Sequence, residues 1–244
     1  MSDLTSNHTQ FRIIGHINSC FPDKFGIPRQ SGIVPEVVSE IVINPEWQPE
    51  LSLQGLQEYS HLWIIFIFHQ NTNQKYHAKV HPPRLHGDSI GTFATRSPHR
   101  PNPIGLSLVK IKSIDQNRIL FYGGDLVQDT PVLDIKPYLP QFESVPDALQ
   151  GFTQQEKAQD KKILVEFSKS ALEKVLAWQI KKNDSTLRLA IEKILKQDPR
   201  PLVYKGYEQQ ASPYKNQHAF KLYDADIHFQ FLSEEKAVVI DILF

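Results

Sequence analysis

RSPHRPNPIGLSLVKIKSI, residues 96–114, changes character halfway along. The half from Arg96 to Gly105 packs three prolines, two arginines, an asparagine and a glycine together, while the half from Leu106 onward alternates apolar with polar residues. Each proline fixes its own φ, removes a backbone donor and pushes the preceding residue towards extended backbone, so the first half is neither helix nor central strand. The alternation that follows predicts a strand with one buried face. A stiff loop that feeds a strand is either a structural corner or a binding loop, and this one carries two guanidinium forks.

Outward from it, the signals as far as residue 140 are those of strands and turns. FRIIGHINS (11–19), VVSEIVINP (37–45), HLWIIFIF (61–68), IGTFAT (90–95), RILFYGG (118–124) and VLDIKPY (132–138) are short β-type segments punctuated by Pro, Gly, Asn and Asp. With no amphipathic helix among them, they predict a mainly β, antiparallel barrel or sandwich rather than a parallel α/β sheet. The apolar run at 62–68 predicts a central strand buried on both faces. After about residue 150 the period changes to 3.6. Phe167, Ala171, Leu172, Val175 and Leu176 share one helical face, and Leu187, Ala190, Ile191, Ile194 and Leu195 share another, with Asp184 or Ser185 available as its cap. DPRP at 198–201 stops that helix, and alternating Ile227, Phe229 and Phe231, then AVVIDILF, return to strand. We therefore expect a β-barrel-like domain over residues 8–150 and a small α+β domain over 151–244.

Composition describes an ordinary globular chain: 244 residues, 40% hydrophobic, with 27 basic and 27 acidic side chains. A net charge of +0 argues against a general nucleic-acid coat protein. The distribution is less even. Residues 31–74 hold five glutamates and no lysine or arginine, whereas 75–112 hold Lys75, Lys79, Arg84, Arg96, Arg100, Lys110 and Lys112 against Asp88 alone. Such a segment is a solvated surface run or one face for a polyanion. The one cysteine, Cys20, suits a reducing cytoplasm and reads as a small packed hydrophobe. Nothing in the sequence suggests export or a membrane span.

Familiar chemistry is missing. There is no G-x-G-x-x-G turn of a Rossmann site, no Walker loop, no G-x-S-x-G and no H-E-x-x-H. His77, His81 and His86 lie in a proline-broken segment with no helix to align them, so no metal is expected. Compact polar motifs at predicted strand ends remain: FGIPRQSG (25–32), FHQ (68–70), ATRSPHRPNPIG (94–105) and DLVQDTPVLDIKPYLP (125–140). Asp134, Lys136 and Tyr138 share one strand face, as part of a site or as a cross-strand salt bridge beside a tyrosine.

Together with HLWIIFIFHQ, PPRLHG and QDPRPLVYKG, these motifs occur in the order of the TsaA-like family, and the chain resembles its TrmO-type tRNA methyltransferases over nearly its whole length. The resemblance implies a non-Rossmann β-barrel domain that binds S-adenosylmethionine, a small C-terminal α+β domain, and a cytoplasmic homodimer. It implies methyl transfer to the exocyclic nitrogen of threonylcarbamoyladenosine, next to the anticodon of threonine tRNA. Carried over position by position, the cofactor contacts fall on Pro28, Arg29, Gln30, His69, Gln70, Arg96, Leu106, Leu126, Val127, Gln128 and Asp129.

The chain departs from the family at DLVQDTP, where DLVDGTP is common. If position 129 requires a positive φ, aspartate meets it less easily than glycine. A cluster of Arg29, Arg96, Arg100 and Lys136 is expected to pair with the threonyl carboxylate. Neither spacing nor resemblance assigns a general base, since Asp134 and Tyr138 are merely available. A non-catalytic RNA-binding barrel with Tyr76 and Phe93 as stacking platforms, and a barrel methyltransferase for another acceptor, are the alternatives.

Overall fold

The computed structural model describes residues 10–71, 76–82, 85, 87–153, 163–200 and 217–244. Lys75, Pro83, Arg84, His86, Pro201 and residues 202–206 of the quoted motifs lie outside the described residues. The first strands are β1 (Gly15–Asn18), β2 (Val38–Ile43) and β3 (His61–Ile67), with the single helical turn α1 (Pro49–Ser52) before β3. A two-residue ribbon follows, β4 (Lys79–Val80) against β5 (Ile90–Gly91), and then come β6 (Ile104–Asp115), β7 (Arg118–Tyr122) and β8 (Pro131–Pro137). Apart from the ribbon, these strands close into an antiparallel barrel in the order β1-β2-β7-β6-β3-β8. Closure leaves no unpaired edge.

Alternation along the strands fills the barrel. Ile17, Ile41, Ile43, Leu62, Ile64, Phe66, Val109, Ile119, Phe121 and Val132 point inward and are almost wholly buried. Burial of such a side chain contributes about 1.5–3 kcal/mol. The run at 62–68 is a correction to the expectation of a strand buried on both faces. Only Leu62, Ile64 and Phe66 are inside; Trp63, Ile65 and Ile67 are half-buried on the outer face, and the strand ends at Ile67. There Trp63 meets Tyr138 edge-on at 6.1 Å and donates from Nε1 to Glu143 Oε1 at 2.7 Å, in the short turn α2 (Pro140–Glu143). IGTFAT is a second correction. Beyond Gly91 it turns into a 3-10 helix, Thr92–Ala94, because the Thr92 hydroxyl donates to the His77 carbonyl at 2.5 Å and takes the chain off a ladder path.

The C-terminal half is a four-stranded sheet, β9 (Leu164–Phe167), β10 (His218–Leu222), β11 (Ala225–Ser233) and β12 (Lys236–Leu243), in the order β10-β11-β12-β9. Among the described residues two helices join it, α3 (Lys169–Lys182) and α4 (Leu187–Lys196). The five apolar residues expected on α4 are all buried. On α3 the buried residues are Ala171, Val175 and Trp178; Leu176 is exposed and Phe167 belongs to β9. Neither Asp184 nor Ser185 caps α4: Thr186 stands at the cap, and Asp184 accepts from its N–H and hydroxyl at 2.8 and 2.6 Å.

One feature crosses the expected boundary near residue 150. Cys20, Phe21, Val34 and Val37, from the connection between β1 and β2, are buried in the same cluster as α3, α4 and the C-terminal sheet. Cys20 is packed there as expected, and burial pushes its thiol up to about 12. No helix among the described residues is long and apolar enough to cross a membrane.

Candidate functional site at one rim of the barrel

Because the barrel is antiparallel, β1, β3 and β7 end at the same rim where β2, β6 and β8 begin. The three connections that leave this rim are residues 19–37, 68–103 and 123–130. All eleven residues carried over from the family lie on these connections, save Leu106, which is near the start of β6. Topology therefore gathers positions that the sequence scatters over a hundred residues.

The connections are tied to one another by polar bonds. Arg96 donates to Gln30 Oε1 at 2.6 Å, and Gln30 donates to the Arg29 carbonyl at 2.7 Å. Lys24 Nζ donates to the Gln70 carbonyl. Gln128 Oε1 accepts from the Ser19 N–H at 2.8 Å, its N–H donates to the Phe21 carbonyl at 2.9 Å, and its Nε2 donates to Asp129 Oδ1 at 2.9 Å. A loop fixed in this way can hold a reacting group to the tolerance that chemistry requires.

Asp129 stands at φ 61. Thr130 closes the turn, donating from its hydroxyl to the Val127 carbonyl at 2.7 Å, so this aspartate occupies a left-handed position that glycine adopts more easily. Its side chain is exposed at the rim and carries charge that a glycine could not.

Leu126 contributes no side chain to the rim: it is 2% exposed in the barrel core, and its carbonyl accepts from the Ser19 hydroxyl at 2.5 Å. Pro28 is buried, whereas Arg29, Gln30, His69 and Arg96 are exposed. Leu106 is 52% exposed on the outer face of β6. Inward on that strand, Gly105 lies against the Phe66 ring, where an added Cβ would sit 2.2 Å from it, and Ser107 is buried.

Partial burial lowers the His69 pKa, and Lys24 and His16 push it further down against the pull of the Ile67 carbonyl and of Asp129. Asp125 was not among the candidates. The buried Ser107 hydroxyl donates to its Oδ1 at 2.6 Å, and burial raises its pKa against that bond, the backbone bond to Ser31 and the attraction of Arg96. The available signal was a serine at an inward position of an otherwise apolar strand.

The expected four-cation cluster is not formed. Lys136 pairs with Asp134 at 2.8 Å and faces Trp63 in register, well along β8 from the rim. Arg100 is turned into its own loop, donating to the carbonyls of Thr95 at 2.8 Å and Thr92 at 3.3 Å. Arg29 and Arg96 remain at the rim. Asp134 and Lys136 do form a salt bridge, but along β8 and not across strands as expected. A separate cleft of about 130 Å³ lies between the 19–37 connection and the end of α4, lined by Lys24, Phe25, Pro28, Arg29, Ile194 and Gln197 among others. It takes in Pro28 and Arg29 but none of the other nine candidates. Among the described residues no three His, Cys, Asp or Glu side chains come together as a metal site.

The site is thus a closed non-Rossmann barrel with polar loops crowded at one rim and a C-terminal α+β unit packed on one of those loops. Residues 16–144 match the family described as the tRNA-methyltransferase O N-terminal domain and residues 160–244 match the TrmO C-terminal domain. The chain belongs to the tRNA-methyltransferase O family. It is 42% identical over 204 residues to an Escherichia coli protein named tRNA (adenine(37)-N6)-methyltransferase, covering 82% of this chain and 85% of that protein. It is 38% identical over 230 residues to a Pseudomonas aeruginosa protein named "Putative S-adenosylmethionine-dependent methyltransferase RcsF", covering 94% and 95%. A crystal structure of TrmO superposes with a TM-score of 0.77 at 32% identity, over 97% of this chain and all of that one.

Proposed function

We propose that the protein transfers the methyl group of S-adenosylmethionine to the exocyclic nitrogen of threonylcarbamoyladenosine, beside the anticodon of threonine tRNA, as a cytoplasmic homodimer. The observation that carries this is the convergence of the family's cofactor positions on one rim of the barrel, within a chain that belongs to the tRNA-methyltransferase O family. The rim suits the cofactor. Exposed Leu106 and half-buried Val127 offer apolar surface to a purine, Asp129 offers a carboxylate to a cation, and Arg29 offers a fork to a carboxylate. When bound, S-adenosylmethionine supplies an electrophilic methyl group.

The chain's own residues would orient and neutralise. Arg96, aligned by Gln30, presents positive charge at the rim, where the threonyl carboxylate or a phosphate can be met. The acceptor nitrogen carries one proton that must leave as the new N–C bond forms. Mass spectrometry of tRNA nucleosides from a strain lacking the gene tests substrate and reaction together. Loss of the methyl group from threonylcarbamoyladenosine, restored by complementation, is expected; an unchanged nucleoside profile would contradict the proposal. Analytical ultracentrifugation at assay concentration tests the dimer, and a fully active monomer would remove it.

A further inference from the structure

The connection between β3 and β6 holds two aromatic rings in water. Phe93 is 69% exposed and Tyr76 47% exposed, and their ring centroids are 6.4 Å apart at an interplanar angle of 31°. Leaving such apolar area in contact with water forgoes the free energy its burial would release. The backbone beneath them is nevertheless firmly built. Thr92 donates from its N–H to the Ala78 carbonyl at 3.0 Å and from its hydroxyl to the His77 carbonyl, and the β4–β5 ribbon pairs Lys79 with Gly91 and Val80 with Ile90. Thr95 and the Arg100 guanidinium both close back onto Thr92, and that guanidinium stands 5.5 Å from the Phe93 ring centre. The two rings are therefore pre-oriented by bonds that bury neither of them.

We propose that Tyr76 and Phe93 form a stacking platform for an unpaired nucleobase of the RNA, flanking the adenosine that receives the methyl group. Three observations favour RNA as the occupant. Phe93 lies three residues before Arg96, and both rings belong to the β3–β6 connection that carries His69, Gln70 and Arg96 to the rim. Arg100 stands over the Phe93 ring, and the stretch from residue 75 to 112 that carries the rings has Asp88 as its only acid against seven lysines and arginines. Rigid exposed aromatics with a cation over one face match what single-stranded bases stack on, and the anticodon loop is unpaired.

The inference rests on the proposed tRNA substrate, so its test separates the two. Fluorescence anisotropy with a labelled threonine anticodon stem-loop RNA is measured for wild type, Tyr76→Ala, Phe93→Ala, Phe93→Leu and Phe93→Trp, with S-adenosylmethionine affinity measured by calorimetry on each. Phe93→Ala should weaken RNA binding by roughly tenfold or more with cofactor affinity unchanged, since one stacked base is worth that much. Tyr76→Ala should follow it, Phe93→Leu should behave like alanine, and Phe93→Trp should restore binding. Wild-type binding with all variants unchanged would overturn the platform alone. A wild-type protein that binds no RNA would overturn the tRNA reading and the platform with it. A Phe93→Ala protein that sediments as a smaller species would make the rings an interface between copies and overturn the proposal.

Discussion

The connections 19–37 and 68–103 leave the same rim of the barrel but are held by different forces. The first is anchored by apolar burial in a second core. Phe21, Val34 and Val37 sit among the residues of α3, α4 and the C-terminal sheet, Phe25 stacks on Phe229 at 6.3 Å, and the Val38 N–H donates to the Tyr223 hydroxyl at 3.1 Å. Among its described residues the second connection buries no apolar side chain, and it relies on prolines, a buried threonine and backbone bonds. A loop carried by a core is hard to move and suits a small cofactor, whereas the second loop, which brings His69, Gln70 and Arg96 to the same rim, also keeps rings and cations outside that suit a large polyanion. On this view the C-terminal domain works as the mount of the Pro28–Arg29–Gln30 corner.

The largest effect should follow from cutting that mount. Phe229→Ala is expected to cost about 3–5 kcal/mol, the range for removing a buried phenyl group, and to weaken S-adenosylmethionine binding through the loosened Phe25. Thermal melts and calorimetry on the same protein check both. Next is Arg96→Ala, whose exposed side chain bears on function: turnover should fall about a hundredfold while stability changes by less than about 0.5 kcal/mol. Activity lost only in proportion to unfolded protein would make Arg96 structural. Gly26→Ala comes third. Gly26 has φ +92, and an added Cβ would lie 2.8 Å from the Phe220 ring. Left-handed backbone and overpacking together should cost about 1–3 kcal/mol and reduce cofactor affinity while RNA affinity holds. If RNA binding fell equally, the division between the two loops would fail.

Asp125→Asn should act in the opposite sense. Burial raises the folded carboxyl above its ordinary 3.8, so the folded state holds its proton more tightly than the unfolded chain does. Stability from this group is present below the ordinary value and is lost as pH rises through the folded one. Asparagine should therefore raise the melting temperature at neutral pH, and its advantage should shrink towards pH 3.8. The smallest effect expected is that of Asp129→Gly, which relieves φ 61 but loses the bond from Gln128. A change within about 1 kcal/mol is predicted by differential scanning calorimetry.

Much of this was legible from residue order. Period two in residues 104–114 became β6, and Leu187 to Leu195 lined α4 as their 3.6 spacing required. What sequence could not show was closure. Leu62 to Phe68 read as buried on both faces because an apolar outer face on a barrel strand looks the same in one dimension as a core strand, and only the Tyr138 and Glu143 contacts tell Trp63 where it is. Phe167 fitted a helical face by spacing yet pairs with Val239 in a parallel ladder, a long-range choice beyond local periodicity. The site followed the same rule. Its residues were named by resemblance, but the separation of Lys136 from Arg96, the inward turn of Arg100 and the burial of Leu126 depend on register and packing.

Transfer of a labelled methyl group from S-adenosylmethionine to two threonine tRNAs of identical sequence, one unmodified and one carrying threonylcarbamoyladenosine, tests the assignment most directly. Label on the exocyclic nitrogen of the modified tRNA alone, abolished by Arg96→Ala in a protein that melts like wild type, is the predicted result. Equal labelling of both tRNAs, or none of either, would contradict it.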